Sequence, residues 1–553
     1  MMAPAEDLPE DLRSRYSGRW IARIEAEIIG HGGTPEQALA AAKALRHKEE
    51  PVIEFVTFDK QLPLHPLIEE IASLVPPERK IYLVGGAVRD ALTGRTSRDL
   101  DFVLPEGSLE VARQVADRLR GAFYHLDPER GYGRVILIHP DSTRTYLDFT
   151  PIQGGSLEAD LRRRDFTINA IAIDLHDRSK TYDPLSGVND LLEKRLRTCY
   201  PEAFLDDSVR ILRAVRLAAA LDLHIPRETR MQMREAAAKL SFVSAERIRD
   251  EIFRILEGPR RVAAFRALDL LGILQEIFPE LVRLKGVGQS APHMQDVWEH
   301  TLQVVEQLEK LLNVLKVDPD PEAAANLQYG LISLRLGRFR EQIKEHLSIR
   351  LNPDRPYQPL LFLSALYHDA GKPDTRQEDP DGRVRFINHE KVSARLVSHR
   401  CRELQLSNPE VETVRRIVDS HMRPIWLAMD EGELTRRAIY RFFRDLGASG
   451  IDVALLSLAD IAGVYGVGLP QTVWERQVEI VRKLLRAYWE EQQDLIAPVL
   501  LVRGKDLMEE LNLSEGPMIG KLLEAIREAQ AEGRITDRQQ ALDFARSRLA
   551  DQG

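Results

Sequence analysis

Two acids, Asp99 and Asp101, stand two positions apart in RDLDFVL (98–104), a run that favours a strand. Alternate residues of a strand face the same side, so both carboxylates aim at one point. A pair of Mg²⁺ ions would need that arrangement to bridge a nucleoside triphosphate and an attacking hydroxyl. Immediately upstream, LVGGAVRDALTG (83–94) reads as a strand end, a glycine turn at Gly85 and Gly86, and a helix carrying Arg89. Glycines let backbone amides approach a phosphate, and a helix start favours its charge. A GG turn alone or a DxD pair alone is a weak signal. In strand–turn–helix–strand order they describe one phosphate and metal site. A third acid, Asp148, lies in the β-favouring run TYLDFTP (145–151).

A second set of chemical residues lies far downstream, on runs of helical period. His300 is in DVWEHTLQVV, His368 and Asp369 in LLFLSALYHDAGKPDT, and His389 in FINHEKVSARLV. His421 is in VDSHMRP and Asp460 in LLSLADIAG. Imidazole and carboxylate together suit a divalent transition metal or Mg²⁺, and helices distant in sequence can converge on one ion. His300, His368, Asp369 and Asp460 are the expected ligands. His389 and His421 are candidates for a second metal or for phosphate contacts.

The elements that must position these residues fall into segments. Residues 1–60 read as a small β-β-α-β module, with Thr34 capping its helix. Residues 61–200 mix strands and helices as an α/β (α+β) head around a mixed sheet. Residues 201–290, 291–470 and 471–553 read as all-α: a neck and body, a second helical domain and a helical tail. An irregular insertion around 318–358 could reshape the second site. At 553 residues, several domains are expected, because single cores stop growing near ~250–300 residues. Hydrophobic residues are 44% and charged residues 29%, which excludes a disordered or fibrous chain. Two cysteines exclude a disulfide framework and fit a cytoplasmic protein. No run approaches the ~18 apolar residues of a membrane span, so no membrane partner is expected. The net charge of −9 is acidic, but residues 161–261 carry 20 Lys and Arg against 16 Asp and Glu. A local positive field of that kind would attract nucleic-acid phosphates.

The head motifs resemble the class II tRNA nucleotidyltransferase and poly(A) polymerase family, of the polymerase-β-like nucleotidyltransferase superfamily. DLRRRDFTINAIAID (160–174) is similar to its RRDFTxNA motif, which implies that Arg164, Asp165 and Asn169 hold the triphosphate and sugar. YDPLSGVNDLLEKRLRT (182–198) is similar to its spring-like motif between head and neck, and FLDDSVRILRAVRLAA (204–219) to its nucleotide-choosing motif. The last would place Asp207 and Arg210 on one helical face, three apart, with Arg213 continuing the stripe. An Asp acceptor and an Arg fork can complement the edge of cytosine or adenine.

The resemblance implies transfer of nucleotides from CTP and ATP to the 3′ end of tRNA, with Asp99 and Asp101 holding Mg²⁺ and Asp148 helping to activate the hydroxyl. The chain departs from the pattern after Asp148. Enzymes that add the whole CCA end carry a longer basic loop there, whereas this link is short around Gly154 and Gly155. The resemblance therefore implies addition of C, either CC alone, with a separate A-adding family enzyme as partner, or the full CCA end. The order H…HD…D resembles the HD phosphohydrolase superfamily, which implies a phosphatase or phosphodiesterase. The alternatives are a poly(A) polymerase of the same family, or an HD phosphohydrolase whose nucleotidyltransferase part only binds RNA.

Overall fold

A computed structural model describes residues 8–25, 27–45, 49–56, 62–139, 143–178, 181–319, 326–430 and 432–550. The loop read at 318–326 lies mostly outside the described residues. Contacts divide the chain into two compact units, Met1–Phe242 and Val243–Gly553.

The first unit opens with helix α1 (Glu10–Tyr16), strands β1 (Trp20–Ile24) and β2 (Glu27–Gly32), helix α2 (Pro35–Ala44) and strand β3 (Val52–Phe55). The strands form an antiparallel sheet in the order β2-β1-β3. The Thr34 hydroxyl accepts from the Gln37 N–H at 3.3 Å, which supplies the expected cap of α2. Trp20, Ile29, Ala38 and Phe55 make the core of this module.

Next come α3 (Leu67–Leu74), β4 (Tyr82–Val84), α4 (Gly86–Leu92), β5 (Asp99–Leu104), α5 (Ser108–Leu119), β6 (Ala122–Asp127), β7 (Tyr132–Ile138) and β8 (Arg144–Pro151). α6 (Leu157–Arg162), β9 (Ala172–Asp174), β10 (Thr181–Tyr182) and α7 (Gly187–Leu192) complete the head. Its seven strands form the expected mixed sheet, in the order β10-β9-β4-β5-β8-β7-β6, with β5 and β8 parallel and the other pairs antiparallel. Strand alternation sorts the residues of β5. Leu100, Phe102 and Leu104 enter a core with Val111, Val115 and Phe149, where the Phe102 and Phe149 rings stack at 4.9 Å. Asp99 and Asp101 therefore face away from that core. Three helices follow in this unit, α8 (Ala203–Asp206), α9 (Arg210–Leu221) and α10 (Arg227–Ala236).

The second unit is helical, with one two-stranded hairpin of Arg376–Glu378 and Val384–Phe386 where the sequence reads as a loop. Its central helix, Ser449–Tyr465, is buried from Ser449 to Gly463. The insertion read as irregular holds two helices, Leu327–Leu336 and Arg340–Leu347. The tail helices Gly504–Leu511, Pro517–Ala531 and Arg538–Ala550 bury Leu507, Leu522, Ile526 and Leu542 in a core of their own. No single helix among the described residues is long and apolar enough to cross a membrane.

Candidate active site and metal centre

In the head, β4 ends at Val84 and Gly85 turns the chain with φ +76°. A β-carbon on Gly85 would lie 2.8 Å from Asp101 Oδ2 and 3.4 Å from an Arg164 nitrogen. Glycine thus leaves the space in which these two side chains meet the turn. Register sets Asp101 between Val84 on β4 and Asp148 on β8. Burial pushes the Asp101 carboxyl above the ordinary range; Arg164 opposes that shift, and Asp148 adds to it. A bound cation at this point would favour the ionised carboxylate that burial disfavours.

The structure gives Asp148 a partner that sequence reasoning missed. Arg134 on β7 donates to both Asp148 oxygens at 2.7 Å. Arg134 and Asp148 are register partners, so strand pairing holds the signal and neither segment shows it alone. Arg164 is tied to Asp160, four positions earlier, at 3.2 Å.

Asp165, Asn169 and Arg213 do come together. Asp165 Oδ1 accepts from Asn169 Nδ2 at 3.0 Å and from the Phe166 N–H at 2.8 Å, and its Oδ2 pairs with Arg213 Nε at 2.6 Å. Burial would raise this carboxyl, but Arg213 and the two hydrogen bonds outweigh burial and hold it below the ordinary range. Arg89 donates to Asn169 Oδ1 at 2.7 Å and to Asp90.

The helical stripe from Asp207 to Arg213 needs correction. Asp207 has extended backbone (φ −148°, ψ 96°) between α8 and α9, so it shares no helix with Arg210. Its carbonyl accepts from the Arg210 N–H at 3.1 Å. Asp competes with helix backbone bonding and favours such positions at helix starts. Arg210 Nη1 donates to the Tyr200 hydroxyl at 2.8 Å, and Arg213 is occupied by Asp165. Between β8 and α6 the short link is a closed turn. Gly154 and Gly155 take φ +74° and +81°, and Ser156 caps α6 by accepting from Ala159 N–H at 3.1 Å.

The second unit brings its six candidates together. Within it, the described residues hold two clusters able to take a metal ion: His300, His368 and Asp460; and Asp369, His389 and His421. Asp369 reaches both clusters. Its Oδ2 is 3.2 Å from His368 Nε2 and 3.5 Å from His300 Nε2, while Oδ1 is 3.2 Å from His389 Nε2. Asp460 Oδ1 is 3.2 Å from His300 Nε2.

The imidazoles are oriented from behind. His368, His389 and His421 point Nδ1 at the carbonyls of Ala365, Phe386 and Val418, at 2.7, 2.8 and 2.8 Å. A carbonyl can only accept, so each Nδ1 carries the proton and each Nε2 faces inward. His389 Nε2 and His421 Nε2 are 3.3 Å apart. Two lone pairs at that distance need a cation between them. Burial, with His368 and His389 nearby, pushes His421 down to about 3 and keeps it an unprotonated ligand. Burial works against the Asp369 charge, but His368 in its protonated form, which Asp369 itself favours, and Lys372 outweigh it and hold the carboxyl well below the usual range; a bound cation would take the place of that proton. The donor set fits divalent ions: His300, His368 and Asp460 would hold one and Asp369, His389 and His421 another, with Asp369 within reach of both groups.

Lys372, whose Nζ is 2.6 Å from Asp369 Oδ2, was readable in HDAGKP but was not expected as a site residue. A cavity of about 280 Å³ is lined by Asp369, His389 and Asp460 together with Lys372, Arg383 and Arg385. A second, of about 730 Å³, reaches His300 and is walled partly by Asn326, Gln328 and Tyr329 of the insertion.

Residues 81–197 match the Poly A polymerase head domain, 222–284 the family described as the probable RNA and SrmB-binding site of polymerase A, and 333–461 the HD domain. Residues 475–545 match domain 2 of tRNA nucleotidyltransferases, and 11–57 a family of unknown function. His300 lies ahead of the matched HD segment. The chain is 34% identical to the CC-adding tRNA nucleotidyltransferase of Thermus thermophilus, over 84% of this chain and 92% of that protein. It is 32% identical to the A-adding tRNA nucleotidyltransferase of Deinococcus radiodurans, over 84% and 94%. A CCA-adding enzyme solved with ATP shares the fold at a TM-score of 0.56 and 19% identity, covering 87% of this chain and 94% of that one.

Proposed function

The chain belongs to the tRNA nucleotidyltransferase family, and from that premise we propose that it adds cytidylate to the 3′ end of tRNA from CTP and leaves the terminal A to a separate enzyme. The observation that carries the reading is the convergence of Asp101, Arg164 and the Gly85 turn, beside an Asp165–Asn169–Arg213 cluster. Asp99 and Asp101 would hold Mg²⁺. When bound, that metal supplies charge against the triphosphate and acidifies the attacking hydroxyl.

The chain's own groups do the rest. The amides at Gly85 and Gly86 and the Arg164 guanidinium face phosphate oxygens. Asn169, held by Arg89, and Asp165, held by Arg213, set the sugar and triphosphate. Asp148 orients the 3′-hydroxyl, with its carboxylate held by Arg134. Asp207 and Arg210 read the base from two sides of a helix break. The 3′-oxygen bonds to the α-phosphorus as the bond to pyrophosphate breaks.

The closed five-residue link between Pro151 and Leu157 supports CC rather than CCA addition, since it leaves no long loop beside the pocket. Residues 300–460 we read as a two-metal phosphohydrolase, a phosphatase or phosphodiesterase acting on RNA ends, with Lys372, Arg383 and Arg385 receiving the phosphate. Domain limits at 60, 200, 290 and 470 remain our division, and the cytoplasm our expected compartment. The test is incorporation of labelled CTP and ATP on tRNAs ending before C, after C and after CC. CTP should enter the first two substrates. ATP incorporation on the third would overturn CC specificity, and repeated ATP incorporation would favour a poly(A) polymerase.

A further inference from the structure

The N-terminal module has no chemical role in this reading, yet its contacts converge on one stretch of the head. Trp20 Nε1 donates to the Thr181 carbonyl at 3.0 Å, and Gln37 Nε2 to the Pro184 carbonyl at 2.6 Å. The Asp183 N–H donates to the Gly33 carbonyl at 2.8 Å. A β-carbon on Gly33 would lie 1.6 Å from the Asp183 carbonyl oxygen, so only glycine lets the two backbones touch. Arg19 Nη2 reaches Ser186 Oγ at 3.4 Å.

That stretch is connected onward to the nucleotide-binding turn. Asp183 is 2% exposed, and its carboxylate accepts from the Gly187 and Val188 N–H groups at 2.6 and 3.0 Å, at the start of α7. A β-carbon on Gly187 would lie 2.0 Å from the Thr167 carbonyl oxygen, so α7 rests directly on the turn Thr167–Asn169. Asp190, fully buried, accepts from Thr167 Oγ1 at 2.7 Å and pairs with Arg197. Asn169, at the end of that turn, holds both Asp165 and Arg89.

We propose that the N-terminal module is an intramolecular brace, which immobilises residues 181–189 and through them positions Asp165 and Asn169 for the nucleoside triphosphate. Arg19, Gly33 and Gln37 are positioning residues and touch no substrate. A turn already ordered before binding leaves less freedom for the ligand to freeze, so the effect falls on affinity. The inference rests on the reading of the head as a nucleotide site.

The test uses the full chain with Gly33→Val, which forces the backbones apart, and separately with Arg19→Ala and Gln37→Ala together, which keeps every backbone contact possible. Hydrogen exchange at the amides of Thr167, Asn169, Gly187 and Val188 should quicken in both variants. KM for CTP should rise by about tenfold while kcat changes much less, a coupling of ordinary size. Quicker exchange with an unchanged KM would overturn the proposal. So would unchanged exchange in both variants. Failure of the unaltered chain to incorporate CTP would strike the assignment of the head instead. Exchange at Thr167 and Asn169 would then still decide whether the brace exists.

Discussion

The two sites handle charge in opposite ways. In the head, acids are answered by arginines: Asp148 on β8 by Arg134 on β7, Asp160 in α6 by Arg164, and Asp165, just after α6, by Arg213 in α9. In the second unit, imidazoles turn their Nε2 atoms toward one another and toward Asp369 and Asp460, with backbone carbonyls behind His368, His389 and His421. An arginine-balanced site keeps its shape without a metal and exchanges partners when an anionic, metal-bearing substrate arrives. Facing imidazole nitrogens of this kind suit a divalent cation. The contrast sets arginine-paired acids in the head against two clusters able to take a metal ion in the second unit.

Asp101→Asn gives the sharpest break between them. Incorporation of labelled CTP should fall by roughly 10³-fold or more, the scale on which preorganised charge acts, while phosphoester hydrolysis by the second unit stays unchanged. Loss of both activities would mean that the sites are not independent. The same variant should melt higher than the unaltered chain in EDTA at neutral pH. Burial raises the folded-state pKa of Asp101, so the ionised acid costs stability above that pKa. Below the unfolded value of ~3.9 the acid is protonated in both states and the cost vanishes. Calorimetry should therefore show the gain shrinking as pH falls through the folded pKa.

Asp369→Ala should come next, acting through metal content. Elemental analysis should find about two divalent ions per chain in the unaltered protein, fewer than about one in Asp369→Ala, and about one in His421→Ala. Full retention of metal in Asp369→Ala would refute a role for Asp369 as ligand. CTP incorporation at saturating Mg²⁺ should not change in either variant. Arg134→Gln is the smallest of the three. It leaves the acids in place and removes what orients Asp148, so incorporation should drop about 10–100-fold, as for partners that orient ligands elsewhere. An unchanged rate would remove Arg134 from the description of the head.

Much of each site was legible because its signals are local. Strand alternation puts Asp99 and Asp101 on one side, and LVGG ahead of a helix marks a turn whatever the rest of the chain does. HD in an apolar helix, followed by GK, announces buried polar groups that need a partner. The omissions were pairings across elements. Arg134 meets Asp148 only after β7 pairs with β8, and Arg213 meets Asp165 only after α9 packs on the head. Asp207 was misplaced because a continuous helical pattern hid a break at a residue that prefers helix starts.

The amino-acid order by itself determined the types of chemistry: which residues can bind metal and phosphate, and which elements carry them. Periodicity and turn chemistry act over a few residues, so they survive without a partner. The tertiary structure decided how those residues share their charges. It set Asp369 between two clusters, gave Asp148 and Asp165 their arginines, and pressed Gly33 against Asp183 so that a module without chemistry of its own reaches the nucleotide turn. Hydrogen bonds, ion pairs and backbone contacts act over a few ångströms, and in this chain they join residues as distant in sequence as Arg19 and Ser186.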